Sequence, residues 1–266
     1  MAQTPITHQI TDDLRSKIDN GAYGPGALLP SEPELAQRYG VSRQTARAAL
    51  KALEQEGLIV VHSTRGRTVR NRPPLRRVSS THRHASHRAS GKPEFDTEAI
   101  GQGQIPSRRI LTVGRGPVPR DVAAWLGTEP GQEAVIRKRL QLLDEVPAVI
   151  STSYYPLWVG EGTRLESADA LPEGPDNLIE QLGHSFARGM ELLQARMPSP
   201  DELRLLKLSP GVPVVRMLHI DYDPDGRTLQ VADDLYAADR HEFAFEWSEP
   251  DGDPTLWLNG LRIGTT

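Results

Sequence analysis

The sequence predicts an α+β protein of two domains. An apolar stripe with helical spacing follows Ser42 and precedes two short strands, and a helix–hairpin pattern occurs twice further along the chain. The charge is divided as well. Residues 1–92 hold 15 Lys and Arg against 7 Asp and Glu, a net of +8, whereas residues 93–266 hold 16 against 28, a net of −12. A basic part can bind phosphates while an acidic part is repelled by them.

Three helices are predicted at the N-terminus. The first ends near Gly21 and carries an apolar residue at every fourth position: Ile6, Ile10, Leu14 and Ile18. The second follows Ser31, whose hydroxyl and Glu34 have the spacing of a capping box, and it ends at Gly40. The third follows Ser42 as N-cap. Its buried stripe is Ala46, Ala49, Leu50 and Leu53.

A hairpin is predicted directly after the third helix. Apolar residues 58–61 and residues 68–69 predict two short strands, and Gly66 permits a tight turn between them. Two helices joined by a short turn and followed by such a hairpin make a winged helix-turn-helix. Arg43, Gln44 and Arg47 lie largely off the apolar stripe, where an N-terminal helical turn can contact base edges in the major groove. The alternative for these residues is a solvated helix surface.

The N-terminal motifs resemble the signature of GntR-family transcriptional regulators. They are GPGALLPSE at residues 24–32, GVSRQTAR at residues 40–47 and GLI at residues 57–59, within a resemblance that covers about residues 6–69. It implies that residues 1–72 form a DNA-binding domain with contacts at Ser42, Arg43, Gln44, Thr45, Arg47 and Gly66. The wing residues Arg65 and Arg67 are expected to add phosphate contacts. Pro33 stands where some members have a contacting arginine, so that contact is not expected here.

Residues 73–92 are predicted to be a basic linker. The segment is interrupted by Pro74 and is rich in Ser, His and Arg. His82, His84 and His87 could suggest a metal site, but no acidic or cysteine partners have a matching spacing. A solvated linker that touches DNA phosphates is the favoured interpretation, and we expect no metal and no cofactor.

The second domain is predicted to span residues 93–249, followed by a polar tail at 250–266. The predicted strands are residues 110–113, 134–143, 148–155, 187–197, 212–222, 228–236 and 243–247, with a turn at Asp144 and Glu145. The predicted helices are residues 119–126, 177–182 and 201–208.

An internal repeat organises this domain. LGTEPG at residues 126–131 and LKLSPG at residues 206–211 each follow a helix and precede two strands, which end at Tyr154 and Tyr236. Two such units would form one antiparallel sheet with helices on a face. The layout resembles the UTRA effector-binding domain of HutC-type GntR regulators, which has a chorismate-lyase-like fold. The resemblance covers about residues 95–247.

Six residues are predicted to contact an effector. Arg137 and Arg139 alternate on one strand and point to one face, where two guanidiniums repel unless an anion bridges them. This favours an anionic small molecule, and the alternative is a solvated outer face of the sheet. The resemblance places effector contacts on these positions. Four further candidates share faces of the neighbouring strands: Ser151, Ser153, Gln230 and Tyr236. Asp96 follows Phe95 where phosphosugar-binding members have a small hydroxyl residue, so no effector is named.

The predicted function is a DNA-binding transcriptional regulator, a repressor, that binds a palindromic operator as a homodimer and responds to a small molecule. The absence of cysteine excludes a disulfide framework. No apolar run or signal peptide suggests a membrane span or export, so a cytoplasmic, nucleoid-associated protein is expected.

Two alternatives remain open at the level of sequence. One is a ligand-independent DNA-binding protein whose second domain only dimerises. The other is an enzyme on a lyase-like scaffold, for which His184, His219 and His241 would be candidates. No nucleophile and base form a known motif with these histidines, so no catalytic residue is predicted.

Overall fold

The computed structural model describes residues 5–62, 66–70, 74–79, 91–209 and 211–245. We call residues 5–70 the head domain and residues 74–245 the sheet domain. Arg65, the linker histidines and the tail from residue 250 onward, which the sequence analysis singled out, lie outside the described residues.

The three predicted helices of the head domain are confirmed. They are α1 (Ile6–Asp19), α2 (Glu32–Tyr39) and α3 (Arg43–Gln55). Ser31 and Glu34 form the expected capping box at the start of α2, and Gly40 ends it in the left-handed region with a φ of 63°. Ser42 caps α3 by accepting a hydrogen bond from the backbone N–H of Thr45.

A two-stranded wing completes the head domain. Strand β1 (Ile59–His62) pairs antiparallel with β2 (Gly66–Val69). Residues from all three helices and both strands form one core under the wing: Ile10, Leu14, Leu29, Leu35, Ala46, Ala49, Leu50, Leu53, Ile59 and Val69. The predicted winged helix-turn-helix is therefore present.

The sheet domain contains one six-stranded antiparallel sheet with the order β4-β5-β6-β9-β8-β7. Its strands are β4 (Pro106–Pro117), β5 (Glu133–Leu143), β6 (Val146–Tyr155), β7 (Arg188–Arg196), β8 (Val214–Tyr222) and β9 (Thr228–Ala237). The helices around it are α4 (Glu94–Gly101), α5 (Arg120–Leu126), α6 (Leu157–Gly160), α7 (Pro175–Gln181) and α8 (Pro200–Leu205). Short 3-10 turns occupy Arg164–Glu166 and Ala238–Arg240.

The predicted internal repeat is visible in this topology. A strand, a helix and a hairpin occur as β4-α5-β5-β6 and again as β7-α8-β8-β9. The two units meet where β6 pairs antiparallel with β9. The predicted turn between β5 and β6 is also present, since Asp144 and Glu145 both have positive φ values, 49° and 65°.

The two faces of the sheet are covered differently. Helix α5 packs Val122, Ala123 and Leu126 on residues of β5, β6, β8 and β9. Leu206 and Leu208, which follow α8, pack on the same face. Because side chains alternate along a strand, the odd-numbered residues of β5 and β6 point to the opposite face. That second face carries the candidate ligand cavity.

The predicted linker requires a correction. Residues Leu75–Ser79 form a strand, β3, which pairs in parallel with β10 (His241–Phe245). Leu75 and Arg77 are buried on one side of it, and the charge of Arg77 is matched by carboxylates, so a sequence that looked solvated is part of the sheet domain. Helix α4 was not predicted, and β4 is longer than the predicted strand at residues 110–113. Residues 246 and 247 of the last predicted strand lie outside the described residues.

Arg70 connects the two domains. Its Nη2 donates to Asp239 Oδ2 at 2.9 Å, and its Nε donates to the carbonyl oxygen of Gly57 at 2.5 Å. Gly57 follows the C-cap residue of α3, and a Cβ at this position would lie 3.1 Å from the Cβ of Asp239. The end of α3 therefore rests on the 3-10 turn Ala238–Arg240 of the sheet domain.

In the described part of the chain, no helix combines the length and the apolar character that a membrane span requires.

Replacing Gly160 by alanine should destabilise the sheet domain. A Cβ at Gly160 would lie 2.8 Å from Cβ and Cγ2 of Val135 and 3.2 Å from Cβ of Tyr155, where the end of α6 packs on two fully buried residues of the sheet. Overpacking of this kind costs about 1–3 kcal/mol. Thermal or urea unfolding of Gly160→Ala measures the loss. Gly101→Ala, at an open site at the end of α4, is the matched control and should unfold like the wild type.

Candidate nucleic-acid interface and ligand cavity

The start of α3 presents a polar surface to solvent. Ala46, Leu50 and the rest of the apolar stripe are fully buried, whereas Arg43, Gln44 and Arg47 are exposed. The Arg47 side chain is 68% exposed. Because one stripe of the helix is buried, only the other residues are accessible to a partner. They include Arg43, Gln44 and Arg47, which the sequence analysis predicted to be exposed.

Glu32 holds this helix and the wing together. Its carboxylate forms an ion pair with Arg47 at 2.9 Å and one with Arg67 at 3.0 Å. The hydrogen bonds from Arg47, and secondarily from Arg67, lower the pKa of Glu32 below its ordinary value. Gly66 begins β2 with a φ of 85°, a conformation that favours glycine. Glu32 was not predicted as part of the interface, although its place at the start of α2 in the signature was visible.

The second candidate site is a polar cavity on the face of the sheet opposite α5. Its cavity volume is about 120 Å³. Strands β5, β6, β8 and β9 form its floor, and β3, α4 and α7 contribute to its walls. The charged lining residues are Arg77, Lys92, Glu94, Glu98, Arg108, Arg139, Glu173, Asp176, His219, Asp221 and Asp234.

Five of the six predicted effector residues line this cavity. Arg139 is 9% exposed, and its Nη2 donates to Ser151 Oγ at 3.0 Å and Ser153 Oγ at 2.8 Å. Gln230 and Tyr236 line the same cavity from β9. The fold therefore brings together five side chains that were selected because side chains alternate between the faces of a strand.

Arg137 does not reach the cavity, so its predicted role needs correction. The residue is 1% exposed, and its guanidinium donates to the carbonyl oxygens of Leu165 at 2.9 Å, Asp169 at 3.1 Å and Ser167. Burial lowers the pKa of Arg137. The loop at residues 164–169 covers this end of the strand, so the two guanidiniums share a face but have different partners.

A buried ionic network that the sequence analysis missed forms one wall. Arg77 pairs with Glu94 at 3.2 Å and with Glu191 at 2.6 Å. His219 then bridges Glu191 and Asp221, at 3.1 Å and 3.0 Å. Only the alternation of His219 and Asp221 on β8 could have indicated it, because the other members come from distant segments.

The pKa values of this network follow from its pairing. Burial disfavours a charged imidazole, yet the Asp221 and Glu191 carboxylates raise the pKa of His219 well above its ordinary value. Burial would raise the pKa of Glu191, but the hydrogen bond from His219 and the charge of Arg77 hold it well below its usual range. Burial and the Asp221 charge raise the pKa of Asp176 to about 6.

Comparison with known families identifies both domains. A family model for the UTRA domain matches residues 101–242, more than half of the chain, and a model for bacterial regulatory proteins of the gntR family matches residues 6–69. The chain is a GntR-family transcriptional regulator with a UTRA domain. The resemblance seen in its sequence motifs is thereby confirmed, and so is the prediction of a DNA-binding transcriptional regulator.

Full-length relatives have the same organisation. The regulator is 27% identical over 242 residues to the HTH-type transcriptional repressor NagR of Bacillus subtilis, covering 90% of this chain and 93% of that protein. It is 29% identical over 255 residues to an uncharacterised HTH-type transcriptional regulator of Streptomyces coelicolor, covering 94% and 95%. These relatives are similar to the regulator along both domains.

Solved structures support the fold. A crystal structure of a putative GntR-family regulator matches with a TM-score of 0.60 and 26% identity, over 93% of this chain and 99% of that one. PhnF from Mycobacterium smegmatis matches with a TM-score of 0.57 and 22% identity, over 90% and 99%. The predicted α+β architecture, a winged helix-turn-helix joined to an antiparallel sheet with helices, is therefore confirmed for the regulator.

Arg137 and Arg139 should differ in their effects on stability. Arg137→Gln leaves several buried carbonyl oxygens without donors and should cost about 3 kcal/mol in the free energy of unfolding. Arg139→Gln removes a buried charge whose hydrogen-bond partners among the described residues are two hydroxyls, so its cost should stay within about 1 kcal/mol. Urea unfolding of both variants tests this. Equal destabilisation would mean that Arg139 is structural too.

Removing the Glu32 carboxylate should weaken DNA discrimination. Glu32→Gln frees Arg47 and Arg67 from their shared counter-ion, so non-specific phosphate binding should increase while the recognition helix loses a fixed side chain. We would measure by fluorescence anisotropy the affinity for the promoter of the regulator's own gene and for scrambled DNA. The ratio of these two affinities should be smaller for Glu32→Gln than for the wild type. An unchanged ratio would exclude a positioning role for Glu32. Glu34→Gln, which affects only the cap of α2, is the control.

Proposed function

We propose that the regulator represses transcription by binding a palindromic operator as a homodimer and releases it when a small molecule occupies the UTRA cavity. The observation that carries this proposal is the combination, in one chain, of an exposed arginine-bearing recognition helix with a ligand-sized polar cavity. The repressor role is supported by the similarity to NagR, whose name describes a repressor.

Direct readout of the operator is assigned to the exposed start of α3. Arg43 and Arg47 can donate to guanine in bidentate fashion, and Gln44 can pair with adenine. Ser42 and Thr45 lie at the first turn, where they can donate to phosphates. The wing, with Gly66, Arg67 and Arg65, supplies sequence-independent affinity that falls with salt. One helix per half-site implies a twofold-symmetric dimer.

The cavity is assigned to an effector with an anionic group. Arg139 forms hydrogen bonds only to two serine hydroxyls among the described residues, so its charge is available to a carboxylate or phosphate. Ser151 and Ser153 hold the guanidinium in place. Gln230 and Tyr236 contact the same space from the second repeat unit.

A short covalent path connects this cavity to the head domain. Tyr236 lines the cavity near the end of β9, and Asp239, three residues later, pairs with Arg70. Arg77 lines the cavity from β3, which follows Arg70 in the chain. A ligand that shifts either segment would change how the end of α3 rests on the sheet domain. Couplings of this type are typically about 1–3 kcal/mol.

Catalysis is not part of the proposed function, since the relatives are described as HTH-type regulators. A ligand-independent repressor would differ in one measurable respect. It would show no thermal stabilisation by any small-molecule pool, because a ligand that binds only the native state raises its apparent stability.

Arg47→Ala should weaken operator binding. The substitution removes a base contact and should cost about 1–3 kcal/mol at the specific site. We would measure the affinity for the promoter region of its own gene, at two salt concentrations. Arg204→Ala, which removes an exposed arginine on α8, is the control and should bind like the wild type. Unchanged promoter binding by Arg47→Ala would contradict the assignment of α3 as the recognition helix.

A further inference from the structure

Most charged groups of the cavity are paired with one another. Arg77 pairs with Glu94 and Glu191, and His219 pairs with Glu191 and Asp221. Two further lining residues, Arg108 and Glu173, are paired with Asp96 and Arg164. Because each of these charges has an oppositely charged partner within the protein, none of them requires a charged ligand.

Three charged groups of the cavity have only neutral hydrogen-bond partners within the described residues. Arg139 donates to Ser151 and Ser153. Its Nε has no partner, although only 9% of the residue is exposed. Asp234 accepts from the Tyr236 hydroxyl at 3.3 Å, and its Oδ1 has no partner. Asp176 accepts from the Gln230 amide at 2.8 Å.

These three groups form two poles. Arg139 and Asp234 belong to one row across the sheet, because Ser151 is the register partner of both. Burial raises the pKa of Asp234 and the Arg139 charge offsets this only in part, so the Asp234 carboxyl is shifted towards its neutral form and Arg139 is the charged group of this pole. The second pole is at Gln230, whose Nε2 donates to both Asp176 and Asp221 at 2.8 Å. His219 contacts Asp221 at 3.0 Å, whereas Asp176 forms no direct ion pair among the described residues, so Asp176 is the carboxylate at this pole that is open to a cation.

Strand geometry gives the separation of the two backbone positions to which the poles are bound. Arg139 donates to Ser153, and Ser153 is the register partner of Ala232 on β9. Gln230 is two residues further along β9 on the same face. One strand spacing and two residues place the Cα atoms of Ser153 and Gln230 about 8 Å apart. Poles bound at these two positions suit a molecule whose opposite charges are separated by a short chain.

The enclosed part of the cavity suits a ligand of about the size of an amino acid. One water occupies about 10–15 Å³ of such a volume, so about 120 Å³ holds roughly ten non-hydrogen atoms.

We infer that the effector is a zwitterion of amino-acid size, with its anionic group on Arg139 and an ammonium group on Asp176. The inference rests on the proposed function, since it concerns the same cavity, and adds the cationic half of the ligand. Gln230 acts as a positioning residue that orients the Asp176 carboxylate towards the ligand.

The inference explains an otherwise unfavourable feature of the free protein. Burial favours the protonated form of Asp176, whose pKa is raised to about 6. The native state is therefore stabilised by this group below about pH 4, and that stabilisation is lost as pH rises through about 6. Near neutral pH the carboxylate destabilises the unliganded fold. An ammonium group would remove this cost.

The test uses matched zwitterions and carboxylates on the full chain. We would measure binding of γ-aminobutyrate, δ-aminovalerate and ε-aminocaproate by calorimetry and thermal shift. Valerate, hexanoate and heptanoate replace the ammonium by a methyl group at the same chain length. At least one amino acid should bind about tenfold or more tightly than its counterpart, because a charge-assisted hydrogen bond is worth about that factor.

Two variants distinguish ligand binding from structure. Asp176→Asn should remove the preference for the amino compound and raise the melting temperature of the free protein near neutral pH. Arg139→Gln should reduce binding of both compounds. A merely structural Asp176 would instead lower the melting temperature when replaced and leave the preference unchanged.

Equal binding of the matched pair, a preference retained by Asp176→Asn, or no binding of any zwitterion would overturn the inference. If metabolite pools still release promoter DNA in that case, only the zwitterionic class is wrong. If no pool changes DNA binding either, the proposed function fails as well.

Discussion

The pairing of β6 with β9 is the contact on which the sheet domain depends. Each repeat unit is a three-stranded sheet with one covering helix, and only this pairing joins the two into six strands. It sets Ser151 opposite Asp234 and Ser153 opposite Ala232, and so determines which side chains meet in the cavity. A shift of β9 by one residue would turn Asp234 and Ala232 to the face that α5 covers and separate them from Ser151 and Ser153. The register of one strand pair thus fixes both the core and the site.

The cavity departs from what stability alone would favour. A buried ion pair contributes little or costs free energy relative to apolar packing, and a buried charge without a counter-ion costs more. The chain nevertheless places Arg139, Asp176 and Asp234 there without a direct ion pair among the described residues. By contrast, both Nη atoms of Arg137 on the same strand donate to loop carbonyls. Arg137 is therefore a structural side chain, whereas Arg139, two residues later, is available to a ligand.

The sequence predicted local elements well. The capping box at Ser31, the left-handed Gly40 and the Ser42 cap are signals within one turn of the helices that they delimit, and all are present. The repeat was also predictable, since its motifs recur in order. Strand β3 was not, because its partner β10 lies more than 160 residues away and its burial depends on Arg77 finding Glu94 and Glu191. The ionic network on β7 and β8 was missed for the same reason. Alternation assigned a face to Arg137 and Arg139, but it could not indicate that a loop covers one of them.

The central claim is that the cavity controls DNA binding through the contact of the head domain with the sheet domain. The most direct test is an equilibrium titration of the promoter region of its own gene with the full-length protein, with and without fractionated small-molecule pools, at two salt concentrations. The account predicts specific binding that weakens with salt and is released by one pool. Specific binding that responds to salt but to no pool would contradict it and would leave a DNA-binding protein whose second domain only dimerises.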